Sequence, residues 1–221
     1  MGKLLVSTFA AVVMMLATTA AITASDADAI DDFCAADFTS TIILNGLVCR
    51  NPATVNGTDF AFNGFEKAGN TDNSLGSAVT PGFAGVNYPA LNTLGLALAR
   101  IDYAKGGGLV PPHTHPRASE ALYVVKGTLY VGFVDTNDKL YSAVLHKGDV
   151  FLFPKGLLHF QLNIGHAPAF SISALNSQNP GVQLTANALF GAQPPIQDNV
   201  LAKAFGIPVS EVQTIKKGFG A

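Results

Sequence analysis

The 221-residue chain is long enough to bury one sizeable core and short enough to do so as a single domain. Hydrophobic residues make up 48% and charged residues 13%, with 22 glycines, 12 prolines and 15 phenylalanines, which excludes a disordered chain and points to a compact, turn-rich one. A formal net charge of −2 without a basic cluster leaves no footprint for nucleic acid or anionic lipid.

Residues 4–24 form an uncharged apolar run behind Lys3 and end in small residues, the pattern of a signal peptide cleaved after Ala24. The run would also span a bilayer, but its Ala/Thr-rich end and the lack of a basic stop-transfer flank argue against an anchor. Cleavage removes one of 13 basic side chains, Lys3, and none of the 15 acidic ones, taking the formal charge from −2 to −3. The mature chain, residues 25–221, is then expected to be secreted and free of the membrane. Its two cysteines, Cys34 and Cys49, enclose residues 35–48, and an oxidising secretory route favours joining them. Closing a loop of about 15 residues stabilises a fold by roughly 3 kcal/mol in the chain-entropy model. Asn56-Gly57-Thr58 is an N-glycosylation acceptor sequence centred on a turn residue.

The segment from 25 to 92 is rich in Asn, Gly, Thr and Pro and reads as an extended, loop-rich lead-in. From about 93 to 180, short Val/Ile/Leu/Phe/Tyr runs alternate with turn residues, as in an antiparallel sandwich or barrel. These runs are LGLALARIDYA, EALYVVKGTLYVGFVD, LYSAVLHKGDVFLFP, LLHFQLNIG and AFSISALN. Turns are expected at Gly127, Asp135–Lys139 and Lys147–Asp149, and strands joined so closely are expected to pair as antiparallel neighbours. The tail, about 196 to 221, carries helical spacing. Asp198 is placed to cap a helix through Phe205 that presents Leu201 and Phe205 on one face and stops at Gly206 and Pro208. Ser210 and Gln213 fit a capping box for a second helix with Val212, Ile215 and Phe219 on one face. The apolar faces of these helices require a surface, on this barrel or on another subunit.

The chemistry concentrates in GGLVPPHTHPRASE, which ends at Glu120, and in PKGLLH, which ends at His159. His113 and His115 are two apart and project from one face of a strand. Glu120 lies an odd number of residues further on, so a break or bulge at Pro116 is needed to turn it inward. His159 opens the strand HFQLN and faces the other three ligands across the barrel. Three imidazoles and one carboxylate suit a divalent transition metal, the carboxylate favouring harder ions such as manganese or iron, with zinc the main competitor. Asn163, four residues past His159, is a candidate contact behind the ligands. His146 and His166 sit beside turn residues and receive no metal role. The Gly106–Gly108 run precedes a proline pair and a strand, which fits a turn rather than a phosphate cradle. No nucleophile elbow or dinucleotide fingerprint competes.

With these residues in view, the chain resembles the plant germin-like proteins of the cupin superfamily. The likeness runs through DFCAAD, GSAVT, a first box from Gly107 through His113, His115 and Glu120 to Gly127, a second box from Gly148 to Asn163, NSQNPG and LFGAQPPI. It implies an all-β jelly-roll barrel with short C-terminal helices, and Mn2+ held by His113, His115, Glu120 and His159. It also implies an N-terminal disulfide, an apoplastic or cell-wall location, and a homo-hexamer built as a trimer of dimers with C-terminal helices clasping neighbouring subunits. Members of the family dismutate superoxide or oxidise oxalate. In the oxalate oxidases two asparagines contact the substrate, and the matching positions here are Ala99 and either Leu109 or Val110. Superoxide dismutation to hydrogen peroxide is therefore the leading expectation, oxalate oxidation the runner-up, and a non-enzymatic cell-wall structural or binding role the alternative from another class.

Overall fold

Burial alternates residue by residue along the strands and thereby sorts the side chains into an inside and an outside. The computed structural model describes residues 31–220; the expected signal peptide lies outside them. Ten strands are described: β1 (Ser77–Gly82), β2 (Ala97–Tyr103), β3 (Leu109–Thr114), β4 (Glu120–Lys126), β5 (Thr128–Val134), β6 (Leu140–His146), β7 (Val150–Phe153), β8 (Leu158–Asn163), β9 (Ala169–Leu175) and β10 (Gln183–Leu184). They form two antiparallel five-stranded sheets with the orders β1-β2-β9-β4-β7 and β10-β3-β8-β5-β6, the expected jelly-roll barrel.

Period-two burial places Ala97, Ala99, Ile101 and Tyr103 of β2 inside, with Leu122 and Val124 of β4 and Leu129 and Val131 of β5. From Ile101 onward these residues, with Val110, Leu145, Phe153 and Ala169, form the main apolar core, while Ala97 packs with Ala118 and Leu175 in a smaller cluster. Each large aliphatic member stabilises the fold by about 1.5–3 kcal/mol relative to exposure.

Only one of the three expected tight turns joins neighbours. Asp135–Lys139 closes the β5–β6 hairpin, where Asp135 Oδ1 accepts from the N–H groups of Asn137 and Lys139 at 2.8 and 3.0 Å. At Gly127 and at Lys147–Asp149 the chain instead crosses from one sheet to the other. A short link limits how far the next strand lies, not which sheet it joins. Gly127 adopts φ +99°, and a Cβ there would stand 2.3 Å from Ala169 Cβ, so the corner requires glycine.

The lead-in contains a strand that its turn-rich composition conceals. β1 pairs along its whole length with β2, beginning the barrel at Ser77 rather than near residue 93, and its Pro81 is tolerated because β1 is an edge strand. Upstream, Cys34 and Cys49 form the expected disulfide. Asn92 Nδ2 donates to Leu47 O at 3.0 Å, tying that loop to the barrel.

The tail holds α1 (Thr185–Phe190), α2 (Asp198–Phe205) and α3 (Val209–Lys217). The two expected helices exist, but their caps do not. Asp198 lies inside α2 behind Gln197, and Ser210 lies inside α3 behind Pro208, with no side-chain cap at either end. The polar groups bind between helices instead: Asp198 accepts from Lys216 Nζ at 2.6 Å and from Gln213 Nε2 at 3.0 Å. Leu201 and Val212 are buried, whereas Phe205 and Phe219 flank Phe190 of α1 with half-exposed rings. No helix among the described residues is long and apolar enough to cross a membrane.

Candidate metal centre

The inward rows that supply the core continue into a polar cluster at one end of the barrel. In β8 the inward residues are His159, Gln161 and Asn163, and in β9 they are Ser171, Ser173 and Leu175. His113 of β3 pairs directly with His159 of β8, so these imidazoles lie on adjacent strands of one sheet and not across the barrel. Glu120 opens β4 in the other sheet and is the ligand that reaches across.

The parity correction also lies elsewhere than Pro116. Val110 pairs with Gln161 and His113 with His159, so β3 has one residue more than β8 over this interval. The surplus is a bulge at Pro111–Pro112, where missing N–H groups cost no ladder bond. It lets both Val110 and His113 face inward. β3 ends at Thr114, and Glu120 points inward because the chain changes sheets, not because a strand resumes with shifted parity.

His113, His115, Glu120 and His159 are all buried, and one ligand atom from each lies within 4.8 Å of every other. Each imidazole is oriented by its far nitrogen. His113 Nδ1 lies 2.8 Å from Pro111 O, His115 Nδ1 2.6 Å from Gly181 O, and His159 Nδ1 2.9 Å from Leu157 O. A carbonyl only accepts, so each Nδ1 carries the proton and donates, which turns the three Nε2 atoms toward the centre as potential ligands. Ser173 Oγ donates to Glu120 Oε1 at 2.6 Å, while Glu120 Oε2 lies 2.9 Å from His115 Nε2 and 3.4 Å from His159 Nε2.

The electrostatics match this arrangement. Burial pushes the His113 imidazole down to about 4, keeping it neutral. Burial alone would lower His115, but the hydrogen bond and charge of the Glu120 carboxylate, together with the Gly181 carbonyl, outweigh that and raise it. Burial alone would raise Glu120; the facing His115 and His159 imidazoles instead hold it well below the usual carboxylate range. His159 Nε2 is buried without a hydrogen-bond partner, a costly state for a polar atom unless something else binds it. Three inward nitrogens, one of them orphaned, and an ionised carboxylate fit a divalent metal.

A scan of family models matches the cupin family over residues 63–213. Germin-like protein 1-3 of Oryza sativa subsp. japonica is 50% identical over 222 residues, covering 99% of this chain and 98% of that protein. Germin-like protein subfamily 2 member 1 of Arabidopsis thaliana is 52% identical over 195 residues, with 88% of each chain covered. This chain belongs to the germin-like cupins. Among solved structures, a recombinant oxalate oxidase in complex with glycolate superposes with a TM-score of 0.85 at 40% identity, covering 88% of this chain and 98% of its own.

In this germin-like cupin a cavity of about 270 Å³ opens over the cluster. Ala99 and Val110 line it, whereas Leu109 does not, which settles which of the two candidate positions faces inward. Asn163 shares the inward face with His159, but its amide is engaged elsewhere. Nδ2 donates to the carbonyls of Ala104 and Ala167 at 2.8 and 2.9 Å, and Oδ1 accepts from Gly165 N–H at 2.9 Å. The expected contact behind the metal ligands is therefore not made by Asn163. Gln161, one inward position nearer to His159, lines the cavity instead, with both amide heteroatoms buried and unpartnered. The same parity that singled out Asn163 passes through Gln161, so counting by two from His159 finds it. His146 and His166 are exposed and lie outside the cluster.

Proposed function

We propose that this germin-like cupin is a manganese protein that dismutates superoxide outside the cell. The observation that carries the metal reading is the convergence of three Nε2 atoms and Glu120 Oε2, with His159 Nε2 left unpartnered. The carboxylate favours a harder ion, and manganese is the reading that the family resemblance supports. Manganese held there would alternate between two oxidation states, oxidising one superoxide to oxygen and reducing a second, with two protons, to hydrogen peroxide.

The chain's own residues set the conditions for that chemistry. One carboxylate against a divalent ion leaves the centre with net positive charge, which attracts a small anion. Pro111, Leu157 and Gly181 carbonyls fix the imidazoles through their Nδ1–H groups, and Ser173 fixes Glu120. Gln161 offers an amide N–H to an anion in the cavity.

Oxalate oxidation is the second reading, favoured by the superposition on oxalate oxidase and opposed by Ala99 and Val110, whose side chains donate no hydrogen bond. Export to the apoplast or cell wall is supported by the apolar segment 4–24 and the Cys34–Cys49 disulfide. Asn56 is exposed, and its Oδ1 accepts from the Thr58 hydroxyl at 2.6 Å, leaving Nδ2 free for a glycan. A hexamer built as a trimer of dimers would cover the half-exposed Phe205, Ile215 and Phe219 of the tail.

Elemental analysis of the secreted protein, with superoxide and oxalate turnover measured on the same sample, tests the reading. About one manganese per chain is expected, with superoxide removal lost in His113→Ala and His159→Ala. Stoichiometric metal with neither activity would leave the binding or structural role.

A further inference from the structure

We propose that the cavity over the metal centre accepts a small organic monoanion, with its single carboxylate at the metal and Gln161 and an apolar body running past the aliphatic walls toward the mouth. This ligand class rests on the metal reading above and goes beyond dismutation.

The hydrogen-bond donors that the cavity leaves free are few. Beside the metal cluster, the polar side chains that line it are Ser77, Ser173 and Gln161. Ser77 Oγ donates to Leu109 O at 2.7 Å and Ser173 Oγ donates to Glu120, so neither hydroxyl proton is free for a ligand. Gln161 is fully buried, and its amide nitrogen and oxygen have no partner. An anionic head therefore has two places to bind, the metal and the Gln161 N–H.

The remaining walls are apolar, Phe83, Ala99, Ile101, Val110 and Leu175 among them, and the half-exposed Leu75, Val79 and Val182 mark an aliphatic mouth. A second carboxylate directed along these walls would lose its water and meet no donor. A hydrocarbon body would exchange water for apolar contact, with about fourfold tighter binding for each buried methylene. The cavity, about 270 Å³, has room for a chain of several carbons.

The test is titration calorimetry on the full-length protein loaded with manganese(II), after its metal content has been measured. The probes are acetate, propionate, butyrate, pentanoate and hexanoate, with succinate as the four-carbon acid in which a carboxylate replaces the terminal methyl of butyrate. Dissociation constants are expected to fall about three- to fourfold per methylene until the chain reaches the mouth. Succinate is expected to bind at least about tenfold more weakly than butyrate. In Val110→Ala the enlarged wall should shift the gain toward the longer acids; the unmodified protein decides the matter if that variant folds poorly. A flat series, or succinate binding as tightly as butyrate to loaded protein, would overturn the ligand class and leave the metal reading intact. Failure to take up manganese would overturn both.

Discussion

The two ends of the barrel interior are built by the same strands and the same alternation, yet they behave as different materials. At one end the inward positions are Leu122, Val124, Leu129 and Val131, closed to water and held by dispersion and hydrophobic burial. At the other the inward positions are His113, Glu120 and His159, with His115 just past β3, and every one is oriented by a hydrogen bond. The second end is possible because the carbonyl of Pro111 at the β3 bulge and the loop carbonyls of Leu157 and Gly181 are free of the ladder and accept the Nδ1–H groups. In mid-barrel the carbonyls are occupied by strand pairing. The site thus sits where β-structure gives way to loops over a rigid frame.

Changes at either end should separate binding from stability. The largest effect is expected from Glu120→Gln, which removes the only anionic ligand; metal affinity should drop by more than about 100-fold, read as metal content after dialysis, with the fold retained by circular dichroism. Leu122→Ala belongs to the dry end and should lower unfolding stability by about 2–5 kcal/mol in denaturant titration while metal stoichiometry survives in the folded fraction. If Leu122→Ala abolished metal binding in folded protein, the two ends would be one cooperative unit and the comparison would fail. Gly127→Ala strains the corner between the sheets and should cost about 1–3 kcal/mol. Ser173→Ala should weaken metal binding by about 10–100-fold with little change in unfolding midpoint.

The smallest effect is that of pH. The raised His115 holds a proton to higher pH than free imidazole, and that proton competes with the metal, whereas His113, near 4, is already neutral. Metal uptake at and below neutral pH should therefore release protons, and affinity should fall by up to about tenfold per pH unit on acidification. Calorimetry in buffers of differing ionisation enthalpy reads this directly; no proton release would show that His115 is already free.

Much of the centre was legible in the chain. The spacing of His113, His115, Glu120 and His159 beside Pro and Gly turns singled out the four residues that the fold brings together, because chelation needs particular residue types regardless of how strands are ordered. Alternating apolar runs located β2 and β4 to β9, since the pleat imposes period two on any half-buried strand. β1 escaped because its partner, β2, provides the reason for its extension, and its own Ser, Thr, Pro and Gly do not. The helix caps failed similarly: Asp198 found a stronger partner in Lys216, a cation brought near only when α2 and α3 pack.

The sequence by itself determined the members of the candidate metal cluster, the strand-rich class and the cysteine pair, all properties of residue type and local period. Only the tertiary structure decided that His159 neighbours His113 while Glu120 crosses from the opposite sheet, that the bulge lies at Pro111–Pro112, and that Val110 and Gln161 face the cavity. Each of those depends on strand pairing between residues distant in sequence. Local pattern gives the parity of a strand, but its partner and register emerge only when two sheets close over one core.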